Sequence, residues 1–127
     1  MFVDDDAMNR RVVKDMLRVV GVNMDEAADG EAGLQMIQHK DFNVVLMDLR
    51  MPGMDGLTAI KHIRAMQGSC ATVPVIVVTA DTASDLRERC IAAGADEILT
   101  KPVAMSPLLN MIGRMENRGA DADIMLN

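Results

Sequence analysis

Val44-Val45-Leu46-Met47-Asp48-Leu49-Arg50-Met51-Pro52-Gly53-Met54-Asp55-Gly56 sets the architecture of this chain. Four consecutive apolar residues, two of them β-branched, read as a strand covered on both faces, because a half-wet strand would alternate. The run stops at an acid and then at Pro52-Gly53, a turn signal. A carboxylate therefore stands at the carboxyl end of a core strand. In an open parallel sheet the ligand crevice forms outside those ends, which makes Asp48 the first functional candidate. Asp55 is placed to cap a following helix with Leu57, Ile60, Ile63 and Met66 on its inner face.

Outward from this stretch the same alternation of strand and helix repeats. Upstream, Met1-Phe2-Val3 runs into Asp4-Asp5-Asp6, a strand shorter than the usual five or six residues, as if clipped at its start. Residues 7–20 place Val12, Val13, Met16, Leu17 and Val20 at helical spacing, with Arg10, Arg11, Lys14, Asp15 and Arg18 opposite, and Gly21 ends the helix. A weak strand is expected over 22–28, a turn at Asp29-Gly30, a helix over 31–40 and the central strand over 43–48. Downstream, Gly68 to Thr72 is a loop, and Pro74 leads into a second wholly apolar strand, 75–79, ending in Thr79. A helix over 82–93 closes at Gly94, a strand over 95–100 ends at Lys101-Pro102, and a last helix runs from 104 to about 117. Residues 119–127 read as a flexible tail, which leaves 1–118 as one domain. Five strand-helix repeats with apolar strands predict an α/β fold with a parallel sheet covered on both faces. For this size the flavodoxin-like (βα)5 sandwich of strand order 2-1-3-4-5 is expected.

Composition narrows the function classes. The chain has 127 residues, half of them apolar, with thirteen Met but only Phe2 and Phe42 as aromatics. Its core must then be aliphatic, with Met as filler. A net charge of −6 argues against a nucleic-acid surface, which needs clustered cations. No apolar run approaches the roughly 18 residues of a membrane span and no leader pattern opens the chain, so a cytoplasmic protein is expected. Cys70 and Cys90 lack metal or redox spacing and read as free thiols. His39 and His62 read as inert helix-surface residues.

In the order 2-1-3-4-5 the strands ending in Asp4-Asp5, Asp48, Thr79 and Lys101 are neighbours, so these groups share one rim. Two carboxylates about 4 Å apart repel by roughly 4 kcal/mol at an effective dielectric near 20, so three acids call for a cation. Oxygen ligands with room for water suit Mg²⁺. A hard metal, a lysine and a hydroxyl around a carboxylate fit phosphoryl transfer to Asp48, with Asp4 and Asp5 holding the metal and Lys101 and Thr79 the phosphoryl oxygens. Neither GxxxxGK[ST] nor GxGxxG is present, so a nucleotide is not the expected donor.

These residues resemble the receiver domain of bacterial two-component response regulators, across about residues 2–117. The matching motifs are Val3-Asp4-Asp5, Met47 to Gly56, Val78-Thr79-Ala80 and Thr100-Lys101-Pro102. Each is weak alone, and in this order and spacing they are specific. The resemblance implies that Asp48 is the phosphoacceptor, Asp4 and Asp5 are the metal acids and the Arg50 backbone carbonyl is a further Mg²⁺ ligand. It implies that Thr79 is the switch hydroxyl, that Lys101 bonds the phosphoryl group and that the Lys101-Pro102 bond is cis. Such a module is not an enzyme acting on other substrates, although it catalyses its own phosphorylation and dephosphorylation. The chain departs from the family at Ile98, where a Tyr or Phe is common, so an aromatic switch has no ring to move. Arg50 and Asp81 occupy rim positions that vary within the family.

The resemblance implies a sensor histidine kinase or histidine phosphotransfer protein as donor, docking near the first helix at Met8, Asn9 and Val12. It implies an effector on the surface of the fourth helix, fifth strand and fifth helix, with no direct nucleic acid and no membrane. The loop over 66–72 and the stretch 90–94 lean toward receivers excised from hybrid histidine kinases. A metal-dependent aspartyl-phosphate phosphatase is the enzyme alternative, disfavoured because Arg50 stands where a second acid would act. An interaction module that is never phosphorylated is the third, and it predicts a broken site.

Overall fold

Strand β1 is only Phe2–Val3, yet it lies between two partners and both of its side chains are fully buried. A computed structural model describes residues 1–81 and 83–126, the side chains of 116–126 excepted. After β1 come α1 (Ala7–Val19), β2 (Glu26–Ala27), α2 (Gly30–His39), β3 (Val45–Asp48) and α3 (Gly56–Ala65). A 3-10 turn at Ser69–Thr72 precedes β4 (Val75–Thr79), α4 (Leu86–Ala93), β5 (Glu97–Thr100) and α5 (Met105–Leu126). All strand pairs are parallel and the order is β2-β1-β3-β4-β5, as expected.

Period-two alternation divides the core into two layers. Val3, Val45, Met47, Val75 and Val77 face α2, α3 and α4, meeting Ile37, Ile60, Ile63, Leu86 and Cys90. Phe2, Leu46, Ile76, Val78 and Leu99 face α1 and α5, meeting Val13, Leu17, Leu108, Ile112 and Met115. Each fully buried Val, Ile or Leu contributes about 1.5–3 kcal/mol by leaving water. Strands covered on both faces explain the uninterrupted apolar runs of β3 and β4.

Helix starts follow side-chain caps. Asp6 accepts from Met8 N–H, Asp29 from Ala32 N–H and Asp55 from Thr58 N–H, each at 2.8 Å. These bonds satisfy N–H groups with no partner inside the helix. Asp29-Gly30 is thus the start of α2 rather than a separate turn.

Four expectations change in detail. On α1 only Val13 and Leu17 are buried, while Val12 and Val20 are exposed; a helix resting on one side of a sheet buries a narrow stripe, and the spacing of its edge residues does not say where that stripe stops. Strand β2 shrinks to Glu26–Ala27 because its partner β1 is two residues long. Helix α4 begins at Leu86, after Asp81 accepts a bond from Ala83 N–H and holds the chain in a turn. The helical backbone of α5 passes the expected stop near Asn117 and reaches Leu126; the flexible tail expected over 119–127 falls on residues whose side chains lie outside the described ones.

Candidate functional site

Parallel register brings the polar strand ends to one rim. Val3 pairs with Met47, Asp48 with Val78 and Thr79 with Thr100, so Asp4, Asp48, Thr79 and Lys101 each stand at or just past the carboxyl end of adjacent strands. Asp4, Asp48 and Thr79 are the buried polar residues among those described. Lys101 Nζ lies 3.2 Å from Asp48 Oδ1 and 3.3 Å from Asp4 Oδ2, joining residues ninety-seven positions apart. Asp4, Asp5 and Asp48 offer carboxylate oxygens that all lie within 4.8 Å of one another. Asp4 and Asp48 are buried and Asp5 is exposed.

Each acid is held differently. Asp4 Oδ1 accepts from Asp6 N–H at 2.8 Å, and Asp4 Oδ2 accepts from Asn9 Nδ2 at 3.4 Å. Asp48 accepts from Arg50 N–H as well as from Lys101. Burial, and next the neighbouring Asp4, raise the Asp48 pKa above the ordinary aspartate value, against the pull of Lys101. For Lys101 burial works to lower the pKa, but Asp48 and Asp4 outweigh it and the net shift is upward. A carboxylate pushed upward in a cleft is short of positive charge.

Thr79 Oγ1 accepts from Asp81 N–H at 3.0 Å. At the mouth Arg50 Nη2 meets Asp81 Oδ2 at 3.2 Å, although the Arg50 side chain is largely exposed. Asp81 is held below the usual carboxylate range, first by Ala83 N–H and then by Arg50. The cleft has a volume of about 450 Å³ and is lined by Asp4, Asp5, Asn9, Asp48, Thr79 and Lys101 among others. A larger open cavity of about 770 Å³ lies at the other edge of the sheet, against Phe42, Pro74 and Asp96, and carries none of these groups.

The donor set, three hard oxygen anions around an open cleft, fits a small divalent cation such as Mg²⁺, which takes one or two carboxylates and keeps several waters. Every side chain singled out for the site is in the cluster, and the Lys101-Pro102 peptide is cis. Asp55 stays a helix cap, and His39 and His62 are exposed on α2 and α3. Ile98 is half-buried on β5, against the layer facing α2, α3 and α4. The sequence offers Asn9 only as a docking contact. Its reach back to Asp4 follows from the tilt of helical side chains toward the helix start, the available sequence signal.

The family model for the response regulator receiver domain matches residues 1–113. The chain belongs to the response regulator receiver domain family. Phosphorylation and magnesium binding are typical of these domains. The receiver is 36% identical over 105 residues to sensor histidine kinase RcsC of Escherichia coli K12, covering 83% of this chain and 11% of that protein. It therefore spans about a tenth of the length of such curated relatives. Among solved structures, the receiver domain of sensor histidine kinase PA1611 of Pseudomonas aeruginosa PAO1 is similar at a TM-score of 0.83 and 33% identity, covering 91% of this chain and 94% of that one. A magnesium ion is coordinated in the active site cleft of PA1611. CheY4 of Vibrio cholerae, a chemotaxis protein, is similar at a TM-score of 0.83 and 30% identity, covering 90% and 94%. Among the described residues of this receiver no helix is long and apolar enough to cross a membrane.

Proposed function

We propose that this receiver accepts a phosphoryl group on Asp48 from a phosphohistidine, in the presence of Mg²⁺. The observation that carries the reading is Lys101 Nζ between Asp48 and Asp4 at 3.2 and 3.3 Å, with Asp5 beside them. An Asp48 oxygen attacks phosphorus, the nitrogen–phosphorus bond breaks, and an acyl phosphate remains on Asp48. Asp4, Asp5, Asp48 and the Arg50 carbonyl are the groups that would hold the metal. When bound, the metal supplies positive charge to the phosphoryl oxygens. Lys101 and the Thr79 hydroxyl donate to the remaining oxygens, and because Thr79 Oγ1 also accepts from Asp81 N–H, a shift of Thr79 toward the phosphoryl group pulls on Asp81. That pull on the segment leading into α4 couples phosphorylation to the α4–β5–α5 surface as the effector face.

The donor is a sensor histidine kinase or histidine phosphotransfer protein. Met8 and Val12 are exposed apolar residues on the turns of α1 nearest the acids and give the donor a place to dock. Similarity to sensor histidine kinases favours a receiver that works inside a longer phosphorelay protein, and the reading keeps the cytoplasmic location expected from composition. The test is intact-mass measurement after incubation with a small phosphodonor and Mg²⁺. The parent is expected to gain one hydroxylamine-sensitive phosphoryl group and Asp48→Asn none; an equal adduct on both removes Asp48 from the reaction.

A further inference from the structure

Asp5 is the acid of the cluster that no side-chain partner holds; it lies between Asp4 and Asp6, inside the turn closed by Asp6 N–H to Asp4 Oδ1 at 2.8 Å. Asp4 is held by Lys101, Asp6 N–H and Asn9, and Asp48 by Lys101 and Arg50 N–H. The exposed Asp5 carboxylate has no hydrogen bond or ion pair among the described residues, so its placement comes from the backbone. The strand leading to it, paired on both sides, is only two residues long, and its bonding to β2 ends with Asp4 N–H to Ala27 O at 3.1 Å. The next group along the chain is the Asp4 carbonyl, and it accepts from Arg10 Nη1 at 2.6 Å. A peptide unit is planar, so a fixed carbonyl fixes the plane that carries Asp5 N and Cα. Arg10 is itself anchored: its Nε donates to Glu26 Oε1 at 3.3 Å on β2, where Lys14 also bonds Glu26 at 3.0 Å, and the Arg10 side chain is 16% exposed.

We propose that Arg10 is a positioning residue for the acid cluster, holding the Asp4–Asp5 peptide so that Asp5 stands with Asp4 and Asp48, and thereby setting divalent-cation affinity. The proposal rests on reading Asp4, Asp5 and Asp48 as the magnesium site. The sign of the effect separates positioning from plain electrostatics. Arg10 carries a positive charge near a cation site, so if charge were its main influence, removing it would tighten Mg²⁺ binding. Positioning requires the reverse. Residues that orient metal ligands without touching the metal change affinity by about 10- to 100-fold when lost.

The experiment is a calorimetric titration of Mg²⁺ alone into the parent, Arg10→Ala and Arg10→Lys, with amide spectra of each metal-free protein. Arg10→Ala is expected to weaken Mg²⁺ about tenfold or more and to shift the Asp5 and Asp6 amide signals before any metal is added. Arg10→Lys keeps the charge but cannot serve the Asp4 carbonyl and Glu26 together, so it should fall between the two. Unchanged or tighter binding by Arg10→Ala overturns the proposal. If Arg10→Ala does not fold, Arg10→Lys decides it, and parent-like affinity there overturns it. A parent that binds no Mg²⁺ overturns the site reading instead.

Discussion

Asp48 carries an electrostatic cost in the folded protein. Burial, then Asp4, raise its pKa above the ordinary value of 3.8, so the folded protein holds that proton to a higher pH than the unfolded chain does. Where the folded state binds more protons, stability falls as pH rises. Without divalent ions, the ionised Asp48 should therefore destabilise the receiver at neutral pH, and the penalty should vanish below about pH 3.8. Asp48→Asn removes the charge and leaves Lys101 paired with Asp4. It is expected to raise the thermal midpoint at pH 7 in chelator, with the gap to the parent closing as pH falls toward that value. Melting curves at several pH values check this, and a variant melting at or below the parent at pH 7 contradicts it. The same repulsion favours a divalent cation when one arrives, because its positive charge relieves it.

At the scale of elements, the first turn of α3 is built against the tip of β3. Gly56 N–H donates to Leu49 O at 2.9 Å, and a Cβ on Gly56 would collide with the Asp48 carbonyl oxygen and lie 2.8 Å from Leu49 Cα. The neighbours are backbone atoms at the end of a core strand and cannot swing aside. Gly56→Ala is expected to lower stability by about 1–3 kcal/mol through overpacking and to displace Asp48. It should also slow formation of the phosphoryl adduct, a second readout beside the melting curve. A variant with parent-like melting and adduct formation would show that α3 can back away from the strand end. Elements were readable where one residue type dominates the local energetics. Asp55 marks the start of α3 in the sequence as it does in the structure, the apolar runs mark β3 and β4, and Asp29, which reads only as a turn, proves to cap α2. Helix α4 begins later than its pattern predicts because no side chain caps it and the residues before it are held by Asp81, a bond that no periodicity signals.

In the whole molecule the edge opposite the cleft is tied together by Arg64 of α3. Its guanidinium donates to the carbonyls of Gly94, Ala71 and Val73 and to Asp96, and Asp96 accepts from Val75 N–H at 2.8 Å. Gly94 has φ +116 and packs so closely that a Cβ there would lie 2.6 Å from Arg64 Cγ. One side chain thus joins α3, the 3-10 turn and the entries to β4 and β5. Arg64→Met should cost about 3 kcal/mol, because it leaves half-buried carbonyls and Asp96 without this donor. Mg²⁺ affinity should stay at the parent value, since the acids lie at the other edge. Chemical denaturation with a parallel metal titration checks both, and a large loss of affinity would mean the two edges are coupled through the sheet.

The sequence alone determined the periodicities, the Asp55 cap, the five strand-helix repeats and the polar residues at the ends of β1, β3, β4 and β5, because these are local properties of neighbouring side chains. Parallel strands joined by helices then leave few topologies, so the meeting of Asp4, Asp5, Asp48, Thr79 and Lys101 was also within reach. Only the tertiary structure decided how narrow the buried stripe of α1 is, that β2 is two residues long, that Arg10 spans the Asp4 carbonyl and Glu26, and that Arg64 closes the far edge. Those depend on distances between chain segments far apart in sequence, set by how whole helices settle on the sheet. No spacing along the chain records them.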